Sequence, residues 1–353
     1  MKLPRHMEMW LPWYVQSRAA GWFTRREPKR VWLTICDHYE PMWGRPAGEV
    51  ADGRVALWRE RWPELADEAG PDSRGAKAKY SFFYPQDEYD ARFLDPLSEL
   101  VGMGLADVEI HIHHDGEGRT AFIEKMAQFM EVLHERHGLL RRVDGRLAFG
   151  FIHGNWALDN SRPDGRWCGL NDEITILKEL GCYADFTMPS APDVTQVAMV
   201  NEIYWATDDP ARPKSHDRGE VVRPGGSASG DLLMITGPLG FRWRERLVPR
   251  METGEVAGND PATEGRVQAW FRLAPMIGDD LFIKLHTHGT QERNSRVLIE
   301  EKNLVRMYQW VRAEAERRGA EVVFASAFEM YQGVRKAAGM GEVGVESAVE
   351  VRQ

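Results

Sequence analysis

The sequence predicts an α/β fold, with a parallel β-sheet covered by helices and either closed into a barrel or doubly wound. Three observations predict it. Short apolar runs closed by polar residues or glycine recur along the chain, and amphipathic helical patterns lie between several of them. The runs are also too continuously apolar for strands that keep one face in water.

The first strand expected is Val31–Cys36, preceded by an N-terminal arm, 1–30, that mixes Trp, Pro, Arg and Glu. Residues 44–79, rich in Gly, Pro and charge, read as an insertion over one face. Val108–His113 is the next strand. Thr120–His137 is the clearest helix: Thr120 can cap it, Phe122, Met126, Phe129, Val132 and Leu133 form an apolar stripe, and Gly138 can end it. Leu147–His153 reads as a strand. A helix from about Asn171 to Leu180 follows, with Ile174, Leu177 and Leu180 on one side and Gly181 as terminator. Ala184–Met188 is a strand, and 192–230, with Asp208, Asp209 and Pro210 and a Pro/Gly cluster in Arg223–Ser229, a second insertion. Strands at Leu232–Thr236 and Leu281–His286, a helix over Ser295–Arg318 and a strand at Glu321–Ala325 complete the pattern. The strand rhythm resumes after each insertion, so one domain, 31–333, is expected, followed by a tail, 334–353. No internal repeat is visible.

Composition narrows the function. The chain has 353 residues and a formal net charge of −9, which argues against duplex nucleic acid or an anionic membrane surface as the main partner. Three cysteines, Cys36, Cys168 and Cys182, lack metal-knuckle spacing and indicate no disulfide framework, so a reducing, cytoplasmic setting is expected. No apolar run approaches the roughly 18 residues of a membrane span, and the first thirty residues lack a signal-peptide core. Oligomeric state is left open.

The sharpest signal is histidine. Of eleven, His38, His111, His113, His114, His153, His286 and His288 lie at or just beyond the C-terminal ends of expected strands. In parallel α/β folds that edge gathers ligands and catalytic groups. Within Val108–Asp115, His111 and His113 are two residues apart on a strand and share a face, a plausible metal clamp of neutral imidazoles. His114, Asp115 and Glu117 follow and could replace either. Thr34–Pro41 supplies an acid: an apolar strand runs into Asp37 and His38, with Asp37 as the expected metal carboxylate and Glu40 and His38 as competitors. In Leu281–Gly289, His286 or His288 is the expected general acid or base, with Lys284 on the same face. In Phe149–Asn160, Gly154 allows close approach of a ligand, and His153, Asn155 and Trp156 offer binding groups. His134 and His137, near a helix C-terminus, read as structural, and His216 as a solvated residue of a charged insertion.

These segments, in this order, resemble the polysaccharide deacetylase superfamily. Thr34-Ile-Cys-Asp37 resembles its Thr-Phe-Asp-Asp motif, Glu109-Ile-His-Ile-His113 its histidine motif, and Ile283-Lys-Leu-His286 its final Leu-x-Leu-His. Cys168–Glu173 through Leu180–Ser190 is similar to its helix-Gly-strand passage, and the match spans about Val31 to Met330. The resemblance implies a distorted (β/α)7 TIM-like barrel and a metal-dependent hydrolase removing acetyl groups from N-acetylated sugars. Cys36 then falls where the family has its catalytic-base Asp, and Glu117 where it has its second metal histidine. The Arg-Pro-Pro-Tyr-Gly motif is absent, with Phe151–Trp156 in its place.

The expected function is therefore hydrolysis of a C–N or ester bond on a carbohydrate or glycoconjugate, by water activated at a divalent ion, with zinc as the leading candidate. Asp37, His111, His113 and Glu117 are the candidate ligands. Asp37, Glu40, His38 and His286 are the candidate catalytic groups. His153, Asn155, Trp156 and His288 are candidates for substrate binding, and Trp43, Trp156 and Trp205 for sugar-contacting walls. Two alternatives are an amidohydrolase-like metal enzyme acting on a small amide and a non-catalytic glycan-binding barrel, for which Cys36 at the base position is the best support.

Overall fold

A computed structural model describes residues 3–22, 26–244 and 248–347. The chain enters through helix α1 (Met7–Trp22), which buries Trp10 against Tyr14 and Phe241. Strand β1 (Arg30–His38) is buried from Val31 onward. One of its faces, Val31, Leu33 and Ile35, meets the helices, while Trp32 and Cys36 join a second apolar cluster on the other face. Cover on both faces is why the strand reads as an unbroken apolar run.

Helix α2 (Gly48–Ala69) leads to β2 (Tyr80–Pro85), and α3 (Ala91–Gly102) to β3 (Ala106–Ile112). After α4 (Arg119–Glu131) comes a hairpin of β4 (Arg141–Val143) and β5 (Arg146–His153), then α5 (Glu173–Leu180), β6 (Cys182–Asp185), the short β7 (Ile203–Ala206) and β8 (Glu220–Val221), and β9 (Leu232–Ile235). A separate ribbon of β10 (Gly240–Arg244) and β11 (Val248–Glu252) precedes α6 (Glu264–Leu273), β12 (Met276–Ile277) and β13 (Asp280–Thr287). The described chain ends with α7 (Glu292–Ser295), α8 (Asn303–Arg317), β14 (Glu321–Phe324), α9 (Ala327–Ala338) and β15 (Val345–Ser347).

All seven expected strands are present. The main sheet runs β12-β13-β1-β2-β3-β5-β6-β9-β7-β8, with β14 also on β1. From β13 through β9 every pairing is parallel; the antiparallel contacts involve β12, β4, β15, β7 and β8. The α/β class with a largely parallel sheet is thus observed, but no strand pairing among the described residues joins β9 to β13, so a closed barrel is not formed by the hydrogen-bonded ladder. The sheet nonetheless curls: Trp32, Phe83, Ile152, Phe186, Ile235 and Phe282, from or just beyond six different strands, share one buried cluster.

Three stretches differ from expectation. Residues 44–79 hold α2, an ordinary crossover helix whose Ala51, Val55, Trp58, Trp62, Leu65, Ala66 and Ala69 form the buried stripe, and β2 begins where that stretch ends. Residues 192–230 contribute β7 and β8 to the sheet. Ser295–Arg318 is broken: a π-turn over Arg296–Glu300 and a left-handed Lys302 separate α7 from α8. The final segment is also structured, since α9 reaches Ala338 and β15 pairs with β4, while 348–353 lie outside the described residues. No described helix is long and apolar enough to cross a membrane.

Candidate functional site

Strand parity sorts the histidines into two groups. On β3, Ile110 and Ile112 pack in the helix-facing core, so Glu109, His111 and His113 point to the concave side. On β1, Cys36 and therefore His38 point the same way, and on β13 so do Phe282, Lys284, His286 and His288. His114 follows the parity of Ile112, and His153 that of Phe149 and Phe151, so both lie on the helix-facing side.

On the concave side the imidazoles converge. The His38 ring lies 5.0 Å from His111, 4.7 Å from His288 and 6.2 Å from His286, and His111 lies 4.6 Å from His113, centroid to centroid. The chain after β1 brings Glu40 into the group: its Oε1 is 3.4 Å from His111 Nε2 and 3.3 Å from His113 Nε2. The far nitrogen of each ring is anchored. His111 Nδ1 is 2.9 Å from the Ile152 carbonyl, which only accepts, so Nδ1 carries the proton and Nε2 is bare. His113 Nδ1 is 3.0 Å from Asp87 Oδ1. His111 Nε2 has no hydrogen-bond partner of good geometry among the described residues. Gly154 permits this packing, because a Cβ there would fall 2.3 Å from the His113 ring and 2.6 Å from the Ile112 carbonyl.

Between Glu40 and Asp87 the field favours a cation, while around His38 and His286 it opposes one. Burial opposes charge on Glu40, yet the two imidazoles facing it, His111 and His113, hold the carboxyl well below the usual range. Burial opposes charge on His113 as well, but Asp87 and Glu40 outweigh it and raise the imidazole to about 10. His38 is held well below its ordinary value by burial and then by His288, His111 and His286, and is neutral with Nε2 unpartnered. His286 is likewise neutral, through burial and Lys284. Beside this group a cleft of about 300 Å³ is lined by Trp156, Pro189, Ser190, Pro192, His286 and His288. A larger cleft, about 800 Å³, lies by the start of β13 among Arg18, Arg223 and Arg272 and includes no histidine.

Other expected site residues are placed elsewhere. Asp37 shares parity with Ile35: its Oδ1 accepts from Gly289 N–H at 2.7 Å and its Oδ2 from Tyr80 O–H at 3.1 Å, on the side of Trp58. Glu117 pairs with Lys125. His153 is fully buried, with Nδ1 donating to the Gly154 carbonyl and Nε2 facing His114. Asn155 is exposed. Trp43 is 45 % exposed, and Trp205 lines a different hollow, with Val221, Pro224 and Met340. His216, expected in solvent, is fully buried, because the 192–230 segment folds onto the sheet. His137 is held by Asp95 and Tyr89, as a structural residue would be. Cys36 is pushed up to about 12 by burial and stays a thiol. Asp87 carried no signal in the sequence, since it acts only through the ring that it orients.

Burial pushes the Asp37 carboxyl up from 3.8 to about 7, against the two hydrogen bonds it accepts. An acid raised on folding favours the folded state below its unfolded pKa, here about pH 4, and that contribution is lost as pH rises toward 7. Asp37→Asn keeps an acceptor for Gly289 and has no charge to bury. Its stability relative to the unsubstituted chain is expected to increase between pH 4 and pH 7 and then level off, as read by urea unfolding. A difference that stays constant over that range counts against a buried, protonated Asp37.

Fold and side chains together define an α/β protein with a histidine- and carboxylate-lined centre at the C-terminal edge of its parallel strands. No protein-family model matches the sequence, and no curated protein matches it. Among solved structures, the chain is similar to one described as "putative polysaccharide deacetylase from Mycobacterium smegmatis", with 13% identity and a TM-score of 0.49 over 90% of this chain and 94% of that one.

Proposed function

We propose that the protein is a metal-dependent hydrolase that removes an acetyl group from a carbohydrate-like substrate, with Glu40, His111 and His113 holding the ion. One observation carries the reading: two imidazoles, each fixed through Nδ1 by an acceptor, turn Nε2 toward the same carboxylate oxygen. Ligating histidines are commonly oriented in this way, the second nitrogen donating to a carboxylate or carbonyl. The orphaned His111 Nε2 is the atom that a metal would satisfy, and His113, raised to about 10 between Asp87 and Glu40, would release its Nε2 proton to solvent as the ion bound. Two imidazole nitrogens and one carboxylate oxygen are a donor set that suits zinc, and an ion held by them would supply Lewis acidity toward a water and an acyl carbonyl.

The rest falls to the chain's own groups. His38, neutral and with Nε2 free, accepts the proton of the attacking water. His286 lines the cleft on the other side and, neutral through burial, takes a proton from solvent in the cleft and delivers it to the departing amine or alkoxide, while the proton held on His38 returns to solvent. Cys36, a buried thiol, takes no part. Trp156 offers its ring to one face of a sugar, beside Pro189 and Pro192. The ordered resemblance of Thr34–Asp37, Glu109–His113 and Ile283–His286 to the deacetylase motifs supports the same chemistry.

The test is acetate release from N-acetylated sugar oligomers by the zinc-loaded protein. Release that stops on chelation and returns with zinc is expected. Protein with zinc bound at Glu40, His111 and His113 that releases no acetate overturns the assignment.

A further inference from the structure

On the helix-facing side of the sheet a second set of groups meets. His114, just beyond β3, His153, at the end of β5, Cys168, in the connection before α5, and Glu173, the first residue of α5, each bring one ligand atom within 4.8 Å of the others, and all four are buried. His114 Nε2 is 2.9 Å from His153 Nε2 and 3.1 Å from Glu173 Oε1; His153 Nε2 is 3.4 Å from that oxygen, and Cys168 Sγ 3.3 Å from Glu173 Oε2.

Hydrogen bonds alone account poorly for this packing. His153 Nδ1 donates to the Gly154 carbonyl, so its Nε2 carries only a lone pair, aimed at a carboxylate oxygen and another ring nitrogen. Two lone-pair atoms at 3.4 Å in a dry interior repel unless something positive lies between them. If His114 Nε2 supplies a proton, its Nδ1 becomes the acceptor, and that atom is buried without a partner. The Cys168 thiol donates to Glu173 Oε2 at 3.3 Å while its sulfur accepts from the backbone N–H of Asn160 at 3.2 Å and of Leu170 at 3.4 Å, so the sulfur is already held toward the carboxylate by its surroundings. Glu173 Oε2 is held by Asp159 N–H at 2.7 Å, which leaves Oε1 to the two rings.

We propose that His114, His153, Cys168 and Glu173 bind a second, structural zinc ion, separate from the centre at Glu40, His111 and His113. Two imidazole nitrogens, a thiolate and a carboxylate complete a tetrahedral set with no position left for water. Zinc bonds of about 2.0–2.3 Å set tetrahedral ligands roughly 3.3–3.7 Å apart, so the spacings among His114, His153 and Glu173 Oε1, 2.9–3.4 Å, need only a few tenths of an ångström of expansion, and Cys168 Sγ lies within 4.8 Å of the others. Binding displaces the Cys168 thiol proton to solvent as the Zn–S bond forms. The site ties the ends of β3 and β5 to the start of α5, across a connection whose Asn155, Trp156, Asp159 and Asn160 all have positive φ. It thereby braces the loop that carries Trp156 into the cleft.

The thiolate distinguishes the two centres, because only this one contains sulfur. The whole protein loaded with cobalt(II) in place of zinc is expected to show a sulfur-to-cobalt charge-transfer band in the near ultraviolet, together with the strong visible bands of tetrahedral cobalt. Cys168→Ser is expected to lose the charge-transfer band and one equivalent of metal, while Glu40→Ala keeps the band and loses the other equivalent. A cobalt-saturated, folded native chain without the charge-transfer band overturns the proposal whether or not the Cys168 variant folds. Persistence of the band in Cys168→Ser assigns it to Cys36 or Cys182 and overturns it equally.

Discussion

Glu40→Ala is expected to abolish metal binding at the concave centre and to lower kcat/KM for acetate release by about three orders of magnitude, or about 4 kcal/mol of transition-state stabilisation. Its Oε1 is the oxygen that faces both His111 and His113, and without it the pair loses its charge compensation and its third ligand. Asp37→Asn supplies the contrast. Its carboxylate bonds Gly289 and Tyr80 on the opposite face of β1, so metal content and kcat/KM should stay within a few-fold of the native values. Asp87→Asn should fall between them, with metal affinity reduced by about 10–100-fold, because Asp87 acts by orienting His113. Metal content and steady-state rates on the same preparations decide the matter. Loss of metal from Asp37→Asn but not from Glu40→Ala returns the ligand role to Asp37, and with it the closer analogy to the Asp of the deacetylase motif.

The contrast between Asp37 and Glu40 shows what was legible in the sequence and what was not. Parallel strands covered on both faces leave unbroken apolar runs, so β1, β3, β5 and β13 and the residues at their ends stood out. Pairing His111 with His113 needed only the two-residue period of a strand. The same period, with β1 extended to His38, sets Asp37 with Leu33 and Ile35, away from His38. Glu40 joins through the turn after the strand, which local periodicity does not describe. Helix α2 was hidden because Gly53, Pro63 and many charges interrupt the pattern, although Val55, Trp58, Trp62 and Leu65 keep helical spacing. Recruitment of Cys168 and Glu173 to His114 and His153 depends on the path of an irregular connection with four residues in positive φ, and no spacing rule anticipates it.

The largest loss of stability is expected at a group that touches neither set of candidate ligands. Glu252 is fully buried, its Oε1 accepting from Arg266 Nη2 at 2.6 Å, Trp270 Nε1 at 3.0 Å and Gly254 N–H at 3.0 Å, and its Oε2 meeting Arg266 Nε at 3.0 Å and Arg242 Nε at 2.9 Å. Glu252→Ala leaves the Arg266 guanidinium, 1% exposed, without its main counter-ion; Asp260 at 3.7 Å is a distant substitute. Breaking a buried pair from one side costs about 3–5 kcal/mol, because the remaining charge stays out of water. The urea midpoint should fall accordingly, and Glu252→Gln, which keeps the shape and an acceptor, should fall less. The loss also reaches the chemistry. Gly254, which Glu252 holds, accepts the backbone N–H of His286 at 3.1 Å, and the His286 carbonyl accepts from Val256 at 2.8 Å. With that brace loosened, His286, the proposed proton donor, is displaced while Glu40, His111 and His113 are untouched. Folded Glu252→Gln is therefore expected to retain its metal and lose kcat. A variant that loses metal and rate together places the effect of Glu252 on the whole sheet and not on His286.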